Sequence, residues 1–391
     1  MENITIIQSL KKTYHYYFQN NTYNDYIKKS MYDFLKYINK YEHKKQITNI
    51  TRNTSRIIAI GDIHGDMDLM LDLLKIANVI EETSKTDSDC NIIELNYKGI
   101  IYDKKFFKWI GNDTVVVQVG DQIDRCRPIN NYKTCDNPDI TFEDEASDIE
   151  ILLFFTKLND IAEKFGGAVY SLLGNHELMN CYGDVRYVSY LNLEQVTNKN
   201  GRIDIFKRGG YLSRFLAYTR LSVIIVNGYL FVHGGILGDK KKSSNYFESI
   251  NEVIKKWLII NNDEQLKLDL QTNIKNKILE YYFYDGYINK FIFDTNSPFV
   301  TRKLGNIKPN ISIDNNECSD IKQLIHKFNL KGIIIGHTPQ LNDINSINGT
   351  CDNKLFRVDI ASSKAFFYIT RELLKPQVLE ISKDGTTRIL N

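Results

Sequence analysis

Four apolar runs in the chain are short and stop at a glycine followed by an acid, an amide or a histidine. Ile57-Ile58-Ala59-Ile60 is too short for a helix and gives way to Gly61, so it predicts a buried strand. Residues 114–119 and 168–173 have the same character and stop at Gly120 and Gly174. Residues 221–226 and 229–232 are joined by Asn227-Gly228, a strong hairpin signal, and Gly332-Ile333-Ile334-Ile335 stops at Gly336. Between these runs the period changes. Met67, Met70, Leu71, Leu74 and Ala77 mark one face of a helix. A longer helix is expected over about 148–165, opened by the capping-box pattern Ser147-Asp148-Ile149-Glu150 and closed by Gly166-Gly167. Strand-loop-helix units of this kind predict an α/β fold with its ligand-bearing loops at the carboxyl ends of strands.

The rest of the chain reads as decoration of that frame. Residues 1–54 are polar, with Tyr32, Phe34, Leu35 and Ile38 at helical spacing, and predict a helical extension. The main domain is then 55–391. Residues 81–113 predict an inserted polar loop and hairpin, with strands at 92–97 and 99–102, and 126–147 predict an inserted surface loop. Residues 244–284 are helical in pattern, 291–304 irregular and 320–329 a short helix, while 355–360, 366–369 and 378–381 are expected as closing strands.

Charge and cysteine usage narrow the function classes. Fifty basic against 48 acidic residues leave +2, which gives no footprint for nucleic acid. The tight run Lys240-Lys241-Lys242 reads as a solvated loop. No stretch approaches the ~20 apolar residues of a membrane span, and Met1-Glu2-Asn3-Ile4 does not begin a secretory leader. The six cysteines include no CxxC pair and are expected as reduced thiols, which places the chain inside the cell.

Candidate chemistry lies at the strand ends: Asp62, His64, Asp121, Asn175, His233 and His337. All are oxygen or imidazole donors, suited to a hard or borderline divalent ion, and six exceed what one open catalytic site requires. Two ions are implied. A shared carboxylate such as Asp121 could bridge them roughly 3.5 to 4 Å apart, with a water between them acidified towards hydroxide, a site suited to in-line attack on phosphorus.

GDIHGD at 61–66, GDQIDR at 120–125, GNHE at 174–177, VHGG at 232–235 and GHT at 336–338 resemble the five ordered motifs of calcineurin-like metallophosphoesterases. They look more like the phosphoprotein phosphatase group within it, and GDIHGD, GNHELMN and GHTPQ look specifically like Shewanella-like protein phosphatases. The resemblance implies an α/β sandwich of two mixed β-sheets flanked by helices. It implies a serine/threonine protein phosphatase using two divalent metal ions, Mn²⁺, Fe or Zn. Asp62, His64 and Asp121 would hold the first ion; Asp121, Asn175, His233 and His337 the second. His176 would protonate the leaving oxygen with Asp124 behind it, Glu177 would orient its neighbours, and Arg125 and Arg302 would grip the phosphate. Pro339 stands where many relatives outside the phosphatase group carry a further histidine.

Cys126 stands where the signature usually continues with glycine, and it reads as a bystander thiol. The expected partner is a phosphoprotein or a small phosphoester, with neither nucleic acid nor membrane. Alternative readings are hydrolysis of a dinucleoside polyphosphate and a metal-site scaffold without turnover.

Overall fold

Strands buried on both faces need a layer on each side, and alternation along the apolar runs shows which layer each residue meets. The computed structural model describes residues 25–84, 91–100, 102–129, 133–238, 242–273, 288–341 and 345–391. One five-stranded sheet has the order β14-β13-β2-β6-β7. Its strands are β2 (Arg56–Ile60), β6 (Val115–Gln118), β7 (Ala168–Ser171), β13 (Val378–Ser382) and β14 (Thr387–Leu390). A six-stranded sheet has the order β1-β8-β9-β10-β12-β11. It contains β1 (Asn49–Ile50), β8 (Val223–Val226), β9 (Tyr229–Val232), β10 (Gly332–Ile335), β11 (Asn348–Thr350) and β12 (Leu355–Arg357).

Ile57, Ala59, Val115 and Val117 join Ile224, Val226, Phe231 and Ile334 in one core between the sheets. Their neighbours Ile58, Ile60 and Val116 face the helices Met67–Ile76 and Asp148–Ala162. On the other sheet, Val223, Ile225, Leu230, Val232, Ile333 and Ile335 face a third cluster with the helices Tyr211–Thr219 and Tyr246–Ile259. Both sheets are mixed: β2, β6 and β7 are parallel, as are β9, β10 and β12, whereas β13 runs antiparallel to both its neighbours and β8 runs antiparallel to β9 but parallel to β1. Parallel registers Ile60↔Gln118↔Ser171 and Ile333↔Leu230 bring the carboxyl ends of the ligand-bearing strands together.

The extension is docked where it is described. Tyr26, Ile27, Met31, Phe34, Tyr37 and Ile38, on one face of the helix Asp25–Tyr41, are buried in the main cluster, and Phe34 meets Phe215 at 4.8 Å. Residues 1–24, 239–241 and 274–287 lie outside the described residues, and with them part of the expected extension, most of the lysine run and the end of the expected 244–284 helical stretch.

Several expectations are corrected. Tyr97–Gly99 is a turn with Lys98 and Gly99 at positive φ, so the hairpin's second strand is β5 (Lys104–Trp109), not 99–102. It pairs with both β3 (Ile80–Thr83) and β4 (Ile92–Asn96) in a three-stranded sheet. Residues 366–369 are not a strand: they belong to a 3₁₀ turn, Lys364–Phe366, and a short helix, Phe367–Thr370. Ser363 caps that turn and Phe367 stacks on Phe142 at 3.8 Å, so tertiary contacts override the apolar run. The 148–162 helix forms without its capping box. Ser147 Oγ donates to Gly65 O and Glu145, and Glu150 accepts from Tyr26 and Asn96.

The cysteines are not all reduced thiols. Cys126 pairs with Cys135 and Cys318 with Cys351, each with Cα atoms 5.8 Å apart, and Cys181 is free and buried. The loops bring these partners within bridging distance, which spacing alone does not reveal. Thiol usage therefore gives no support to a reducing compartment. Among the described residues no helix is long and apolar enough to cross a membrane.

Candidate metal centre

The ligand loops leave the strands through unusual backbone. His64, Asp121, Asp124 and His337 have φ of 49°, 52°, 73° and 65°, a left-handed region costing roughly 1–3 kcal/mol for such residues and tolerated where the surroundings fix it. Two glycines show how tight the surroundings are. A Cβ on Gly174 would lie 2.1 Å from Asp121 Oδ1, and one on Gly336 would lie 2.3 Å from Asp62 Oδ1. Each glycine is required because the carboxylate of a neighbouring loop rests against its Cα. Glu177 locks two loops together by accepting from the backbone N–H groups of Gly174, Asp121 and Gln122 at 2.7, 3.0 and 2.7 Å.

Two buried sets of ligand atoms result, each within 4.8 Å: His64, Asp121 and His176; and Asp121, His233 and His337. Asp121 belongs to both. Asp62 Oδ2 lies 3.9 Å from His64 Nε2, and both Asp62 oxygens accept from the His337 N–H. His233 Nε2 sits 3.2 Å from Asp121 Oδ2 and 3.1 Å from Asn175 Oδ1. All six nominated donors are therefore brought together.

One ring nitrogen of each of three histidines faces a backbone carbonyl. His64 Nδ1 faces Ile123 O at 3.3 Å, His233 Nδ1 faces Val119 O at 2.9 Å and His337 Nε2 faces Val300 O at 2.9 Å. A carbonyl on one nitrogen fixes the ring and leaves the other for an ion. Burial, then Arg127 and His176, hold the His64 imidazole well below its ordinary value; burial, then His233, push His337 down to about 3. Both are thus neutral, as ligands must be.

The acids carry the opposite stress. Burial, then Asp359 and Asp121, push Asp62 well up, while burial raises Asp359 to about 6. Burial also opposes ionisation of Asp121, but His233 and His176 around it hold its carboxyl well down. Asp359 Oδ2 is buried without a hydrogen-bond partner. Crowded buried carboxylates, an orphaned oxygen and the neutral His64 and His337 imidazoles fit cations, and two buried His/Asp groups sharing Asp121 fit two of them.

His176 differs from the other three histidines. Its Nδ1 meets a carboxylate, Asp124 Oδ2, at 2.8 Å, and its Nε2 lies 3.8 Å from Asp121 Oδ2. Asn180 Nδ2 donates to both Asp124 oxygens, holding that carboxylate in place.

The two nominated arginines are placed differently. Arg302 is exposed, and its charge acts on His337 and Asp359. Arg125 is fully buried. Its guanidinium donates to Gly65 O and Glu143 O and lies 3.4 Å from Asp66 and 3.5 Å from Glu145; among the described residues no hydrogen bond or ion pair joins it to a ligand or to His176. Two residues at the site were missed. Asp359 stands two residues past the strand Leu355–Arg357 without the glycine that precedes Asp62 and Asp121, and it is hidden when the strand is read through to Ile360. Arg127, beside the nominated Arg125, has no signal in spacing alone.

The Calcineurin-like phosphoesterase family pattern matches residues 55–341. The chain belongs to that family. This phosphoesterase is 37% identical over 265 residues to the uncharacterized protein R398 of Acanthamoeba polyphaga mimivirus, a match covering 61% of the chain and 98% of that protein. It is 26% identical over 378 residues to Shewanella-like protein phosphatase 2 of Arabidopsis thaliana, covering 86% and 77%. A solved structure of a cold-active protein tyrosine phosphatase shares the phosphoesterase's fold, with TM-score 0.53 and 21% identity over 88% of this chain and 80% of that one.

Proposed function

We propose that the chain is a phosphoprotein phosphatase that hydrolyses phosphoserine and phosphothreonine esters at a dinuclear metal centre. The observation that carries this reading is the His176–Asp124 pair beside the shared carboxylate Asp121. An alkoxide of serine or threonine is a far poorer leaving group than a phenolate, so a positioned acid matters most for those esters. Relationship to Shewanella-like protein phosphatases supports a protein substrate.

Asp62, His64 and Asp121 would hold one Mn²⁺, Fe or Zn ion, and Asp121, Asn175, His233 and His337 the other. When bound, the ions would supply Lewis-acid charge and an activated water. His176 Nε2 would give its proton to the leaving oxygen, while Asp124 fixes Nδ1–H and stabilises the cation present before transfer. Glu177 and the glycine contacts keep the donors in place without rearrangement. Arg302, exposed beside His337, would meet phosphate oxygens from the open side.

The test is phosphate release by the Mn²⁺-loaded protein from matched phosphoserine, phosphothreonine and phosphotyrosine peptides and a dinucleoside polyphosphate. Chelator-sensitive turnover of the first two is expected. Preference for phosphotyrosine or the polyphosphate, or no turnover with any divalent ion, overturns the reading.

A further inference from the structure

We propose that Arg127, rather than Arg125, is the guanidinium that grips the substrate phosphate, an inference that rests on the phosphoesterase reading. Arg125 is enclosed by Asp66, Glu145 and the carbonyls of Gly65 and Glu143, and its one unpartnered nitrogen, Nε, is buried. Arg127 is half-buried, and among the described residues it makes no ion pair. Its Nη1 donates to Asp124 O at 3.0 Å and Cys126 O at 2.9 Å. No described hydrogen bond uses its Nε or Nη2, the edge that takes two oxygens of a phosphate side by side.

The guanidinium also lies close to the site. It is 4.6 Å from the Phe366 ring and 5.6 Å from the Tyr187 ring. Phe366 touches the His64 imidazole at 5.3 Å, and Tyr187 touches His176 at 4.9 Å. Arg127 therefore sits over two rings that each border the reaction centre, one on the metal side and one on the acid side. Its charge acts on His64, and those of Asp121 and Asp124 act on it, so the interaction reaches the centre. The backbone below is pinned twice, by the Cys126–Cys135 bond and by the Cys126 N–H on Tyr187 O at 3.0 Å. A cysteine where the signature usually has glycine thus belongs to a support that presents the next residue.

Titration of inorganic phosphate into the Mn²⁺-loaded full chain, followed by calorimetry, tests this without requiring turnover. Arg127→Ala is expected to weaken phosphate by about tenfold or more, the loss typical of a charge-assisted pair, with bound Mn²⁺ per chain unchanged. Arg127→Lys is expected to fall between, because the charge survives and the fork does not. Arg125→Lys is expected to lower the unfolding temperature and leave the folded protein's phosphate affinity within about twofold of the parent. The proposal is overturned if Arg127→Ala binds phosphate within twofold of the parent or loses Mn²⁺ in parallel. It is equally overturned if Arg125→Lys loses phosphate affinity while unfolding at the parent temperature. A parent that binds phosphate through Arg127 but turns over no phosphopeptide would sink the proposed substrate and sustain the clamp.

Discussion

The floor of the site is positioned by backbone, whereas its rim is positioned by side chains and a covalent bond. On the floor, Asp62, Asp121 and His337 leave strand ends through left-handed or glycine-flanked turns, with one loop's carboxylate lying against the next loop's Cα. On the rim, Arg127 rests on Phe366 and Tyr187, Lys364 bonds Asp68 and Glu143, and Phe142 stacks on Phe367. Such a rim can change residue by residue while the floor stays fixed. On the proposed reading, the first carries the chemistry and the second the grip on substrate.

The sharpest way to break the floor is at the residue both ligand sets share. Asp121→Asn is expected to release Mn²⁺ from both positions and to cut phosphate release by more than about 100-fold, the upper loss seen when only a ligand's supporting partner is removed. Metal analysis of the purified chain checks it; two ions still bound would mean the sets are independent. Next in size, His176→Asn is expected to lower the rate on alkyl phosphates by about 10²- to 10⁴-fold and on activated aryl phosphates much less, with metal content unchanged. Equal losses on both esters would remove His176 from the proton-transfer step.

The same contrast explains what was legible in the sequence. Each of the six donors follows an apolar run within a few residues, so a local pattern finds it, and the two sheets follow from those runs. Asp359 also follows a strand, but without the glycine that precedes Asp62 and Asp121, and a strand taken through to Ile360 runs three residues past its observed end at Arg357. The rim has no local signature. Nothing in the spacing of Cys126 and Cys135 or of Cys318 and Cys351 reveals that loops bring them together, and the stacking of Phe367 on Phe142 turns an apparent strand into a helical turn. Arg125 and Arg127 are two residues apart, and only packing separates the arginine enclosed by acids from the one over the aromatic rings.

A smaller effect is expected where the rim is tethered covalently. Cys135→Ser opens a link between residues nine apart in sequence, and loss of a loop of that length costs about 2–3 kcal/mol on a chain-entropy account. Denaturant unfolding under oxidising conditions measures it. Because Arg127 stands beside Cys126, phosphate affinity is expected to fall severalfold while Mn²⁺ stays bound. Loss of metal instead would join floor and rim into one unit and erase the distinction between them.

The smallest effect concerns Asp68, which ties the rim to the helix behind the first ligand loop. Burial works against its charge, but hydrogen bonds from Tyr97, Lys364 and Lys98 outweigh that and hold its carboxyl below the usual range. A carboxyl whose folded value is depressed binds fewer protons folded than unfolded, so its stabilisation is complete above the unfolded value near 3.9 and fades as pH falls towards the folded one. The site is partly exposed, which limits the contribution to about 1 kcal/mol. Asp68→Asn is therefore expected to unfold more easily than the parent by a constant margin from pH 8 down to about pH 5, and the margin should narrow below about pH 4. Denaturant curves at matched ionic strength across that range decide it. A margin that grows on acidification would mean that Asp68 acts through shape rather than charge, and the rim would then be held, like the floor, by packing.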